Sequence, residues 1–150
     1  NFKNCLVLEK AVGKKIETKP LYKVSEEDIY GYLDPYVKNK KLKKYSEIEV
    51  TTIDEIILSN NLDSVNLLKI DVEGFEYEVL LGCNNALKNN KIKKIIVETH
   101  SEYLKAKGID EDSIYTLLKE HGFTIKKIQE KITAGVSHGI HTSNILAIKN

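Results

Sequence analysis

The chain has no arginine, no methionine and no tryptophan, and only two prolines and two cysteines in 150 residues. Without arginine it lacks the planar, bidentate fork that most often grips phosphate or carboxylate. All 23 of its basic residues are lysines. Cys5 and Cys83 form no CxxC and no metal-ligand spacing. That excludes the common zinc modules and leaves reduced, partly buried thiols as the plain reading. With no methionine there is no initiator, so a chain starting at Asn1 reads as a processed or partial piece of a longer sequence. No apolar run exceeds four residues, against about 20 for a membrane-spanning helix. No N-terminal stretch has the form of a signal peptide. These absences predict a cytoplasmic protein with no membrane partner. The charges nearly cancel, 23 basic against 22 acidic, so there is no electrostatic case for nucleic acid. Neither GxGxxG nor GxxxxGK[ST] occurs, so neither familiar phosphate loop is present.

What is there is ordinary for a globular protein: 41% apolar and 30% charged residues, without internal repeats. The length predicts a single domain over residues 1–150. Cys5 to Leu8 and Ala11-Val12-Gly13 read as a strand and its exit. Lys15 to Val24 reads as a further strand. Ser25, followed by three acids, signals a helix start. Ile48, Val50 and Thr52 alternate with polar residues as in a half-buried strand. Thr52-Ile53-Asp54-Glu55 is a capping box opening a helix to Asn61. Val65 to Val72 is nearly continuous apolar chain, as in a strand buried on both faces. Phe75 to Gly82 then reads as a helix, and Asn84 to Lys94 as Lys/Asn-rich solvated surface. Ile92 to Thr99 is a second apolar strand. Asp110 caps a helix whose apolar face holds Ile114, Leu117 and Leu118, stopped by Gly122. Phe123 to Ile128 and Asn144 to Ile148 close the chain as an antiparallel pair. The sum predicts an α/β sheet, parallel with an antiparallel edge. Its apolar strands ending at Val72 and Thr99 are expected to be adjacent, parallel and central.

Ligands of open α/β sheets bind at the carboxyl ends of the strands. The first apolar strand ends in Asp71-Val72-Glu73 and the second in Glu98-Thr99-His100. Residues two apart leave a strand on the same side, and neighbouring strands lie about 4.8 Å apart. Asp71, Glu73, Glu98 and His100 are therefore expected to converge within about 10 Å. Such a set suits a general base, because carboxylates raise the pKa of a nearby imidazole. It also suits a hard divalent cation. The plain alternative for Asp71 and Glu73 is capping of the next helix, and for Glu98 and His100 an exposed loop. His138 and His141 lack a third ligand and read as part of a loop over the site. Tyr30, Tyr32 and Tyr36 read as packing residues.

Leu68-Lys69-Ile70-Asp71-Val72-Glu73-Gly74-Phe75-Glu76, continuing to Gly82, resembles the signature segment of FkbM-type methyltransferases. Val50 to Ile57, Ile95 to His100, Ala11-Val12-Gly13 and Ser143 to Ile148 resemble the flanking segments in order and spacing. The resemblance implies a Rossmann-like class I methyltransferase sheet, mostly parallel with an antiparallel C-terminal strand. It implies S-adenosylmethionine as cofactor and methyl transfer to a hydroxyl of a sugar, glycan or natural-product-like acceptor. It places the family's first two strands and glycine-rich turn upstream of Asn1, so this chain is the C-terminal portion of such a domain. It leaves Ala11, Val12 and Asp71 as cofactor-binding residues. Asp71, His100, Glu73 and Glu98 stand as catalytic residues, Asp71 or His100 being the base, with no metal assigned. The strand ending at Val72 then lacks a neighbour, and its free edge is expected to be covered by a missing segment or an oligomeric partner. The alternative is a non-catalytic binding or accessory domain that kept the fold. A metal-dependent α/β hydrolase is a third reading that the signature disfavours.

Overall fold

The computed structural model describes residues 4–27, 31–33, 41–133 and 140–150. Along them run strands β1 (Ala11–Val12), β2 (Glu17–Lys23) and β3 (Lys43–Thr51), then helix α1 (Ile53–Ser59) and strand β4 (Leu68–Ile70). Helices α2 (Glu76–Leu81) and α3 (Asn84–Lys88) lead to strand β5 (Lys94–His100). Helices α4 (Ser101–Ala106) and α5 (Glu111–Glu120) precede the closing strands β6 (Phe123–Thr133) and β7 (Ile140–Lys149). None of the helices described is long and apolar enough to cross a membrane.

The strands form two sheets, ordered β1-β3-β2 and β4-β5-β7-β6. β1 runs parallel to β3, and β4 to β5. The pairs β2–β3, β5–β7 and β6–β7 are antiparallel. Both sheets are therefore mixed, which corrects the expectation of a mostly parallel sheet. In the first sheet β2 runs against β3; in the second the cause lies at the C-terminus. β7 inserts between β5 and β6 and runs against both, so the closing hairpin contributes two antiparallel ladders rather than one edge.

β4 and β5 are adjacent and parallel, as the sequence predicts, with Leu68 opposite Ile95 and Ile70 opposite Val97. β5 is interior, but β4 is only three residues long and lies at the edge of its sheet among the described residues. Only Ile70 of β4 is fully buried, and Leu67 and Lys69 are exposed. The expected central strand buried on both faces is thus a short, one-sided one. Cys5 to Leu8 is likewise no strand; Leu6 and Val7 lie open to solvent.

Local chemistry explains most boundaries. Thr52 caps α1 by accepting the Glu55 N–H at 3.0 Å, as its capping box predicts. Asp54 then reaches 31 and 32 residues along the chain, accepting the N–H groups of Asn85 and Ala86 at 2.8 Å each. That remote carboxylate starts α3, within the stretch expected to be solvated surface, and lets Ala86 and Leu87 enter the core. Asp110 caps α5, and Gly122 ends it with φ +76°. The core joins α2, α3, α4 and α5 to the inner strands through Leu80, Ile95, Val97, Leu104, Ile114 and Ile145, all inaccessible to water. Each such side chain contributes about 1.5–3 kcal/mol by burial. Cys83 sits fully buried in this core, its thiol within 3.1 Å of the Val79 carbonyl oxygen. Burial first, and the Asp54 charge second, push that thiol's pKa far up.

The turn after β4 depends on one glycine. Gly74 has φ +92°, and a Cβ there would lie 2.3 Å from Cβ of Tyr103 in α4. Both backbone and space therefore demand glycine. Gly74→Ala is expected to cost at least about 2 kcal/mol through overpacking and strain. A thermal melt checks it; an unchanged midpoint would mean that the turn and α4 do not touch. Ser25 to Glu27, expected to open a helix, form a turn, and Asp28 lies outside the described residues. So do Tyr30, Tyr36 and His138.

Candidate active site

The tips of β4 and β5 lie side by side, and the carboxylates and imidazole gather there. His100 is the last residue of β5 and is 95% buried (5% exposed). Its imidazole lies against the Tyr103 ring, centroids 5.9 Å apart and planes 8° from parallel. Its Nδ1 is 2.7 Å from Oε1 of Glu76, and its Nε2 is 3.6 Å from Oε2 of Glu73. Glu76, in the first turn of α2, is wholly buried. The same Oε1 also accepts the Gly74 N–H at 2.9 Å, while Oε2 has no hydrogen-bond partner. A carboxylate only accepts, so His100 donates from Nδ1–H and its neutral form carries the lone pair on Nε2.

Asp71, Glu73 and His100 each offer one ligand atom, all within 4.8 Å of one another. These three converge, as their places at the strand ends predict. Glu98 is half-buried on the same face of β5 but does not join this group. Side-chain direction along the strand is shared, yet Glu98 starts two residues further from the tip. Asp71 differs from expectation in another way. It lies just beyond β4, is exposed, and pairs with Lys69 Nζ at 2.5 Å. Glu73 takes a left-handed backbone, φ +50°, a conformation costing about 1–3 kcal/mol outside glycine. It turns the chain so that Glu73 faces His100 while Glu76 comes round behind it.

Burial alone would push the His100 pKa down. The Glu76 hydrogen bond, with the charges of Glu76, Glu73 and Asp71, outweighs it and holds the pKa above the ordinary histidine value. Two carboxylates and an imidazole could hold a divalent cation. The site already has cations of its own, the Lys69 ammonium on Asp71 and a readily protonated His100. The acidic, partly open tip also suits a cationic sulfonium or ammonium group, with Asp71 on its exposed side.

Ala11 and Val12 form β1, paired with Val50 and Thr51. Both are half-buried, and Val12 packs against the main core. Gly13 follows, and its carbonyl oxygen lies 2.1 Å from where a Cβ on Gly82 would be. The turn therefore packs on the end of α2. Phe75, beside Gly13, has Lys107 Nζ 4.1 Å and Lys19 Nζ 5.4 Å from its ring centre. Lys107 also donates to the Gly74 carbonyl at 2.7 Å and to Glu78 at 3.2 Å, fixing the turn from the α4 side.

Glu76 is the residue that sequence reasoning passed over. Its signal was present: positions 76, 79, 80 and 83 form one helical stripe, and Val79, Leu80 and Cys83 on it are buried. A glutamate on an apolar stripe needs a buried partner.

Residues 8–125 match the methyltransferase FkbM domain. The hexuronic acid methyltransferase AglP of Haloferax volcanii is 32% identical over 116 residues, 75% of this chain and 45% of that protein. The 31-O-demethyl-FK506 methyltransferase FkbM of Streptomyces tacrolimicus is 33% identical over 89 residues, 59% of this chain and 32% of that protein. The AMB antimetabolite synthetase AmbE of Pseudomonas aeruginosa is 34% identical over 83 residues, 55% of this chain and 4% of that protein. The chain thus spans less than half the length of each of these relatives. No solved structure matches. With most of this chain matched, and the segment that resembles the family signature lying at the β4 tip, the chain belongs to the FkbM methyltransferase family.

Proposed function

We propose that residues 1–150 are the C-terminal portion of a Rossmann-like domain that methylates a hydroxyl oxygen using S-adenosylmethionine. The observation that carries this reading is His100, buried at the tip of β5 with Nδ1 anchored on Glu76 and Nε2 turned to the β4 tip. The acceptor class is a sugar, glycan or natural-product-like alcohol. The names of AglP and FkbM, a hexuronic acid methyltransferase and a 31-O-demethyl-FK506 methyltransferase, support it. The compartment that best fits the reading is the cytoplasm.

The chemistry supplied by the bound cofactor is an electrophilic methyl group on a positive sulfonium. Ala11 and Val12, with the turn at Gly13, would flank it, and Asp71 would face its charged part. Asp71 and Glu73 would favour binding of a cationic group more than a transition state in which that charge is dispersed. Neutral His100 accepts the acceptor's hydroxyl proton at Nε2 as the oxygen gains its methyl group. The imidazolium that results lies between Glu76 and Glu73, which stabilise it. A base must come within about 3 Å of that proton, directly or through one water. Glu76 holds the ring so that only Nε2 is free to do so.

Titration calorimetry of the complete protein with S-adenosylhomocysteine tests the cofactor assignment. The expected result is saturable binding of one molecule per chain. No heat, together with no rise in melting temperature at millimolar ligand, would overturn it.

A further inference from the structure

Four hydroxyl groups from four elements converge on one carboxylate, that of Glu111 at the start of α5. Ser143 of β7 donates to Oε1 at 2.6 Å and Thr99 of β5 at 3.0 Å. Ser101 of α4 donates to Oε2 at 2.6 Å, and Tyr115 of α5 to Oε1 at 3.3 Å. Thr99 and Ser143 are wholly buried and lie 2.8 Å from each other. Burial opposes charge on Glu111, but the hydroxyls of Ser101, Ser143, Thr99 and Tyr115 prevail and lower its pKa. Acidic residues often sit in a first helical turn merely to meet the helix dipole. Asp112 in the same turn does so while exposed. Glu111 reaches instead to the residues on either side of His100.

The ladder to β7 holds one side of that junction, with Thr99 opposite Ser143 and His100 opposite Thr142. His100 ends β5 and is the N-cap of α4, with φ −108° and ψ 79°, neither strand nor helix, and no side-chain cap. Thr99 points to the opposite face of β5 from His100, so a grip on Thr99 and Ser101 fixes the backbone between them. We propose that Glu111 is a positioning residue for His100, clamping Thr99 and Ser101 so that the imidazole stays between Glu76 and Glu73. The proposal rests on reading His100 as the base. Its geometric part is testable without methyl transfer.

The experiment is nuclear magnetic resonance of the His100 ring in the nitrogen-15-labelled chain. It compares Glu111→Gln, Ser101→Ala and, as control, Asp112→Asn. The charged groups facing His100 are Glu76 from α2, and Glu73 and Asp71 from the turn after β4; none is altered. In Glu111→Gln the Nδ1–H signal of the 2.7 Å bond is expected to shift upfield or broaden. The His100 midpoint should fall towards the ordinary histidine value. Ser101→Ala, which changes no charge, should move both in the same direction, and Asp112→Asn should move neither. In the complete protein Glu111→Gln should lower kcat on the order of 10-fold to 100-fold, the scale of a base displaced by about 1 Å. KM for the cofactor should stay within about twofold, because Glu111 is not among the residues proposed to hold it. If Glu111→Gln does not fold, Ser101→Ala decides. Variants that melt lower but keep the His100 signal and midpoint would overturn the proposal, leaving Glu111 a structural tie. If the signal moves but Glu111→Gln and His100→Asn both keep the parent rate, positioning stands and the reading of His100 as base falls.

Discussion

His100→Asn is expected to lower methyl transfer by about 100-fold or more while the chain stays folded. The choice of asparagine follows from the geometry. Its amide nitrogen occupies the place of Nδ1 and can donate to Glu76, but nothing replaces Nε2. The buried Glu76 carboxylate keeps a donor, and the acceptor's proton loses its destination. In the parent the base works only when neutral, so the rate should rise with pH through the His100 midpoint. Because Glu76, Glu73 and Asp71 raise that midpoint, the rise should come above the ordinary histidine value of about 6.5. The asparagine variant should lose this inflection. Steady-state rates from pH 5 to 9, with folding checked by circular dichroism, decide it. A folded variant that retains the parent's rate and profile would place the base elsewhere.

His100→Ala should behave differently, with a large loss of stability. Among the described residues it removes the only side-chain donor to Glu76, which is wholly buried. Breaking one partner of a buried charged pair costs about 3–5 kcal/mol, which in a chain of this size lowers Tm on the order of 10 °C. The sign of the pH dependence follows from the raised folded pKa. The charged pair's contribution is complete below the unfolded histidine value and fades as pH rises through the folded one. The gap in Tm between parent and His100→Ala should therefore be widest in mild acid and narrower in alkali. A variant melting within about 2 °C of the parent at all pH values would show that Glu76 does not depend on His100.

These expectations draw on features the sequence shows to unequal degrees. Local signals carried far. The Thr52 capping box, the Asp110 cap and the stop at Gly122 all mark real boundaries, because each acts within four residues of itself. The alternation around Val50 and the apolar runs of β5 and β7 also fall where the strands lie. Asp71, Glu73 and His100 were legible as a group because strand ends and parallel neighbours put them together. Glu98, two residues back on the same face of β5, is not among the three whose ligand atoms gather within 4.8 Å. α3 was hidden because its cap, Asp54, comes from 31 residues away. β4 looked like a strand buried on both faces because its run is nearly all apolar; its free edge was legible only from the resemblance, which puts two strands upstream. The polar residues of the Glu111 network are unremarkable one by one. Thr99, Ser101, Ser143 and Tyr115 acquire their meaning only when β5, β7, α4 and α5 meet.

The two thiols stand at opposite extremes. Cys5 is exposed, and Cys83 is sealed in the core with its pKa raised. A thiolate-seeking reagent meets the first in the native chain and meets the second only when α2 and α3 leave the sheet. The slower of the two alkylation rates therefore times the opening of the helical layer that carries Glu76 to His100. The faster one, in the same molecule, calibrates the reagent.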